Sequence, residues 1–120
     1  MTKSGFTLVE ILIVVAIIVL LGAIAIPQFI KARDATQQAA CIKNLELIES
    51  AKEKAALAEH WDATAPVVTT IVDQYIKEMG KPIPQCPACK GPSYTYGKMN
   101  ERPVCNYNGG MTHKLPVIAP

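Results

Sequence analysis

Neither sign of charge dominates this chain, and the residue groupings that catalysis needs are lacking. Twelve Lys and Arg against ten Asp and Glu leave a formal net charge of +2. The basic residues are dispersed, which gives no footing for a nucleic-acid partner, because phosphate binding needs several cations on one face. The two histidines, His60 and His113, stand apart in the sequence. No Ser or Cys sits in a nucleophile motif, no carboxylates are paired for acid and base work, and no phosphate-cradling Gly-rich loop occurs. These absences argue against an enzyme, and nothing in the sequence demands a cofactor. No internal repeat or low-complexity linker is visible either, which leaves 120 residues for one small domain with a thin core.

What is present is unevenly spread. Half of the residues are apolar, yet Ile11 to Ile26 carries hardly a polar atom while the C-terminal third is rich in Pro, Gly and Lys. Met1-Thr2-Lys3-Ser4-Gly5 forms a short polar leader with one positive charge, followed by Phe6-Thr7-Leu8-Val9-Glu10 and then the apolar run. A secretory signal peptide places its small-residue cleavage site after the apolar region; here the candidate, Gly5 before Phe6, precedes it. The hydrophobic segment would therefore survive processing. As a helix, residues 6–30 would extend roughly 37 Å, enough to cross a hydrocarbon core of ~30 Å with some tilt.

Glu10 is out of place beside that segment, because an ionised carboxylate at the edge of an apolar span is costly unless it meets a partner or reaches the interface. Cleavage before Phe6 would create an α-amino group, and that amine could neutralise the Glu10 carboxylate of a neighbouring copy in a bundle of identical helices. A place among lipid headgroups is the alternative. Gly22 and Pro27 interrupt the run, and Pro27 has no amide to offer the carbonyl of Ala23, which predicts a kink or local unwinding near it.

Gly5-Phe6-Thr7-Leu8-Val9-Glu10 followed by a long apolar stretch resembles the processing motif of type IV prepilins and of the pseudopilins of type II secretion. The likeness covers Gly5 to about Leu47. It implies a leader peptide at 1–5, a transmembrane and assembly helix at 6–30, an amphipathic continuation of that helix at 31–60 and a small head at 61–120. It further implies that a prepilin peptidase cuts between Gly5 and Phe6 and methylates the new Phe6 amine, that Lys3 holds the leader on the cytoplasmic side, and that Glu10 neutralises a neighbour's amino terminus. The resemblance also makes Gly22 to Pro27 a segment able to lose helicity in a filament, against the alternative of a static bend. Expected partners are other copies of the chain in a helical filament, minor pilins, the prepilin peptidase and an inner-membrane assembly platform with its ATPase. The expected location is the inner membrane in a single pass with the head outside the cytoplasm, and after assembly a surface pilus or a periplasmic pseudopilus.

After Lys31 the pattern turns amphipathic. Cys41, Leu45, Ile48, Ala51, Ala55 and Ala58 mark one stripe, with Lys43, Glu46, Glu49, Lys52 and Glu53 on the wet side. The helix should stop around His60-Trp61-Asp62, with Trp61 covering the head's core. Thr70-Ile71-Val72-Asp73 has the form of a capping box before Tyr75, Ile76 and Met79, and Gly80 with Pro82 signals a stop, which predicts a short second helix. Ser93 to Gly97 and Arg102 to Tyr107 read as two short strands around a Lys98 to Glu101 turn, Pro103 marking an edge. Asn108-Gly109-Gly110 reads as a turn and the Pro-rich tail as a surface strap. The fold class is therefore α+β, a pilin-like lollipop with a long kinked helix and a small head.

The four cysteines lie downstream of the apolar segment, as expected of a small head that folds in an oxidising compartment. Cys86-Pro-Ala-Cys89 with Cys105 and His113 could supply a tetrahedral zinc site, although the second pair is poorly spaced for a zinc ribbon. A thioredoxin-like role is weakened by the flanking prolines and Gly91, and Cys86-Pro-Ala-Cys89-Lys90 only distantly follows a covalent haem motif. The pilin resemblance implies instead a disulfide from Cys86 to Cys105 closing a C-terminal loop. Cys41, on the same helix stripe as Leu45 and Ile48, could face the head and pair with Cys89, while three pairings remain open. The calcium loop of secretion pseudopilins is rich in acidic residues, and no Asp or Glu follows Glu101. Three functions follow: a pilus subunit, the major pseudopilin of a type II secretion system, or a membrane-tethered metal-binding module that does not polymerise.

Overall fold

The computed structural model describes residues 2–89, 91, 93–107 and 113–115. Along the chain run a 52-residue helix α1 (Leu8–Glu59), a short helix α2 (Thr69–Glu78) and two strands, β1 (Tyr94–Thr95) and β2 (Val104–Cys105). The architecture is α+β, as the periodicities indicate. Two compact units divide the chain, Met1–Ala35 and Thr36–Pro120.

The first unit holds the leader and the apolar part of α1. From Leu8 to Ala35 every residue except Gly22 is exposed, including Phe29 at 70 % and Leu20 and Val19 at 66 %. The helix is long and apolar enough to cross a membrane, and none of its most apolar window is buried within the chain. Helical backbone continues through both Gly22 and Pro27. Pro27 nonetheless has no amide to give the carbonyl of Ala23, so a turn bonded through that amide is missing there.

In the second unit α1 is amphipathic and has its own core. Cys41, Leu45, Ile48, Ala51 and Ala55, three or four apart, are fully buried, the spacing that stacks side chains on one face of a helix. Ala58 lies beyond the packed region and is exposed. Ile48, Ala51 and Ala55 pack with Val72 and Ile76 of α2 and with Tyr96, and Trp61 lies partly buried against this cluster. Nearer the start of the unit, Cys41 and Leu45 pack with Cys86 and Cys105.

Lys52 departs from the amphipathic pattern. The sequence places it on the wet side, yet it is buried. Its ammonium donates to the carbonyls of Tyr96 at 2.6 Å, Lys98 at 2.8 Å and Glu101 at 2.7 Å. Burial pulls its pKa below the usual lysine range, while Glu49 and Glu101 push it back up. Three donors meeting three carbonyls keep the ammonium satisfied, and α1 thereby organises the hairpin turn. Arg102 and Glu49 add an ion pair at 3.3 Å, which is half-exposed and of small energetic value.

The capping box expected at Thr70 is absent. The N-cap of α2 is Val68, with no side-chain cap bond, and Asp73 instead accepts the Tyr96 hydroxyl. At the other end Gly80, at φ 73°, closes a Schellman motif: its amide bonds the Lys77 carbonyl at 2.9 Å and the Lys81 amide bonds Ile76 at 3.3 Å. The expected hairpin forms in a shorter version, with Tyr94 opposite Cys105 and Thr95 opposite Val104 in antiparallel register. The Glu101 amide closes its turn onto Lys98 at 3.1 Å. The turn at Asn108 to Gly110 and the tail strap after Leu115 lie outside the described residues.

Lys52→Met keeps most of the apolar stem but leaves three carbonyls without their donor. It should lower the stability of the full chain in detergent by about 2–4 kcal/mol, read by denaturant titration of the Trp61 fluorescence. An effect below about 0.5 kcal/mol would mean that the ammonium does not organise the turn.

Candidate functional site

The amino-terminal motif folds around a reciprocal cap. The Thr7 amide donates to Glu10 Oε2 at 2.9 Å and the Glu10 amide donates to Thr7 Oγ1 at 3.2 Å. Thr7 precedes the first helical residue and Glu10 is the third, so Thr7-x-x-Glu10 is the capping box of α1. The signature is present in the sequence, Thr followed three residues on by Glu before an apolar run, beside the reading of Glu10 as a charge. A carboxylate has about four acceptor sites, so a cap that occupies one oxygen leaves Glu10 able to meet a cation. Its negative charge also suits the positive end of the helix dipole.

Gly5 and Phe6 lie just ahead of this cap. Phe6 is 86 % exposed. Together with Ser4 and Glu10 they line an open depression. A Cβ added to Gly5 would meet no atom within 4 Å, and the same holds at Gly22. Neither glycine has the positive φ seen at Gly80, Gly91 and Gly97. Among the described residues nothing thus requires a glycine at position 5 or 22, and at 22 it costs helix stability, by about 1 kcal/mol relative to Ala.

The cysteines converge in the second unit. Cys41, Cys86 and Cys105 bring their sulfurs together with a ring nitrogen of His113, all within 4.8 Å of one another and all buried. Cys41 comes from the packed stripe of α1, Cys86 from the loop after α2 and Cys105 from β2. His113 Nδ1 lies 3.5 Å from Cys86 Sγ and 3.9 Å from Cys105 Sγ, and its ring rests on Tyr107 with centroids 4.7 Å apart. Cys89 stands outside the group, half-buried, its amide closing a turn onto the Cys86 carbonyl at 3.1 Å. Cys41 thus takes the place that the sequence spacing offered to Cys89.

Polar neighbours reach the sulfurs. The Tyr94 hydroxyl donates to Cys41 Sγ at 3.6 Å and is itself held by Asn44 Nδ2 at 3.0 Å. The Tyr107 amide donates to Cys105 Sγ at 3.4 Å. Asn44 also donates to the carbonyl of Gln85 at 3.1 Å, which ties α1 to the residue before Cys86. Burial pushes the Cys41 thiol up, with the Tyr94 hydroxyl working against it, and burial likewise raises Cys105. Two chemistries are open to such a group: oxidation of one pair of thiols, or coordination of a soft cation by all four side chains.

Residues 1–26 match the family described as the prokaryotic N-terminal methylation motif. The chain is 49 % identical over 51 residues to the type IV major pilin protein PilA of Myxococcus xanthus (strain DK1622), a stretch covering 42 % of this chain and 23 % of that pilin. It is 44 % identical over 55 residues to a fimbrial protein of Pseudomonas aeruginosa, covering 46 % of this chain and 36 % of that protein. The chain therefore spans only about a quarter to a third of the length of the relatives it matches. No solved structure matches it. Its first residues match the prokaryotic N-terminal methylation motif, and about its first half is similar in sequence to a type IV major pilin and to a fimbrial protein.

Proposed function

We propose that this chain is a structural subunit of a type IV pilus-family filament, processed between Gly5 and Phe6 and polymerised through the apolar part of α1. One observation carries the proposal: an amino-terminal helical stretch whose apolar side chains are exposed among the described residues, headed by a methylation motif. Before assembly that surface lies in the inner membrane, with Lys3 and the leader on the cytoplasmic side and the head, residues 61–120, outside. In the filament, helices 6–30 of neighbouring copies replace the lipid. The amphipathic stretch 31–60 carries the head.

Gly5 and Gly22 fit this scheme because their demand comes from outside the chain. A prepilin peptidase needs a small residue before the scissile bond, and a helix packed among its copies uses Gly22 for close approach. Glu10 then has two successive duties. Its cap on Thr7 starts the helix, and its remaining acceptor capacity receives the methylated amine of Phe6 from an adjacent copy, which removes an isolated carboxylate from an apolar bundle. Gly22 and Pro27, helical in the single chain, mark the stretch where helicity is lost most cheaply in the fibre. The assembly platform, its ATPase and minor pilins complete the set of partners.

Two substitutions separate the duties of Glu10. Glu10→Gln preserves a side-chain acceptor for the Thr7 amide but removes the charge, so insertion and cleavage should persist while surface filaments fall at least tenfold in shear preparations. Thr7→Ala removes one half of the cap and should leave filaments largely intact. The reverse pattern would assign Glu10 to helix initiation alone. In Gly5→Leu the precursor should accumulate uncleaved, seen as a mass that retains the leader; normal processing in that variant would contradict cleavage at this bond.

A further inference from the structure

We propose that Cys41, Cys86, Cys105 and His113 form a structural zinc site in the second unit of the chain. Zinc takes four ligands in a tetrahedron, with Zn–S bonds of about 2.3 Å and Zn–N bonds of about 2.0–2.1 Å. Those lengths set thiolate sulfurs about 3.8 Å apart and a sulfur and an imidazole nitrogen about 3.6 Å apart. The His113 nitrogen meets this spacing, at 3.5 Å from Cys86 Sγ and 3.9 Å from Cys105 Sγ, and the whole group stays within 4.8 Å. Three sulfurs and one imidazole complete a Cys3His set.

A disulfide inside this group engages two of its three thiols and leaves the imidazole idle, whereas coordination uses all four side chains at once. Binding of Zn2+ by three thiols and a neutral imidazole releases three protons and leaves a net charge of −1 on the site. Hydrogen-bond donors are already placed to spread that charge: the Tyr94 hydroxyl at Cys41 Sγ and the Tyr107 amide at Cys105 Sγ. Such outer contacts orient metal ligands and tune their basicity. Asn44 holds Tyr94, and the Tyr107 ring holds His113.

The site also answers a need of the fold. Of the buried residues in this cluster, all but Leu45 are cysteines, so apolar burial alone supplies little cohesion there. A metal would join α1, the loop after α2, β2 and the His113 segment at one point, as structural zinc does in small domains. With four protein ligands there is no open position for a substrate, which makes the role structural. The site lies within the unit Thr36–Pro120 and is independent of the amino-terminal assembly surface.

The test uses the full chain purified in detergent, anaerobically and without chelator. Elemental analysis should find about one zinc per chain. Replacement by Co2+ should give the visible absorption of a tetrahedral cobalt thiolate together with charge-transfer bands in the near ultraviolet. Cys41→Ser and His113→Ala should lose the metal, whereas Cys89→Ser should keep it in full. Should Cys41→Ser fail to fold, the Cys89→Ser protein and the cobalt spectrum decide. Failure of the reduced chain to take up either Zn2+ or Co2+ overturns the proposal. So does a disulfide among Cys41, Cys86 and Cys105 in the native protein, or loss of metal in Cys89→Ser. None of these outcomes bears on filament formation.

Discussion

Among the described residues the most apolar window of α1 has none of its side chains buried, and the proposed behaviour of the molecule follows from that. A helix that is hydrophobic on every side has no stable place in water. Lipid can cover it, and so can other copies of the same helix, and the two environments are near enough in polarity for the segment to exchange one for the other. The second unit behaves differently. Its stretch of α1 buries one stripe, from Cys41 to Ala55, against α2 and the hairpin. The helix thus presents exposed apolar side chains over one part of its length and forms the spine of a small folded head over the other.

Glu10 sits where these demands meet. In the isolated chain it belongs to helix initiation, exchanging hydrogen bonds with Thr7. A carboxylate bound in this way is already oriented at the start of the apolar surface, next to Gly5 and Phe6. Preorganisation lowers the cost of ordering that side chain when a cation arrives. The capping box and the proposed intermolecular pairing are therefore cooperative roles for one side chain.

Much of the fold was legible because its signals are local. The apolar run, the i, i+3, i+4 stripe, the glycine stop after α2 and the two short strands around Lys98 to Glu101 all follow from chain neighbours. What escaped were contacts across long sequence separations. Lys52 reads as a solvent-facing residue until the hairpin turn is brought over it, where three carbonyls compensate its burial. Cys-X-X-Cys spacing suggests Cys89 beside Cys86, but Cys89 stays at the edge of the cluster while the stripe of α1 brings Cys41 into the thiol-imidazole group. Asp73 has the sequence position of a cap partner but accepts the Tyr96 hydroxyl instead. At the amino terminus the miss was of another kind, since Thr7-x-x-Glu10 is a visible signature with two meanings, and the electrostatic one hid the other.

The small head gains its shape from few residues, with a lysine under one turn and a thiol-imidazole group under the other end. The proposed polymerisation through α1 rests on an amine that cleavage before Phe6 would create. Intact-mass analysis of the native chain, recovered both from membranes and from sheared surface material, tests it most directly. The account predicts that the chain in the sheared fraction begins at an N-methylated Phe6 and sediments as a polymer. A chain that keeps its leader, or that is found only as a monomer in the membrane fraction, would contradict it.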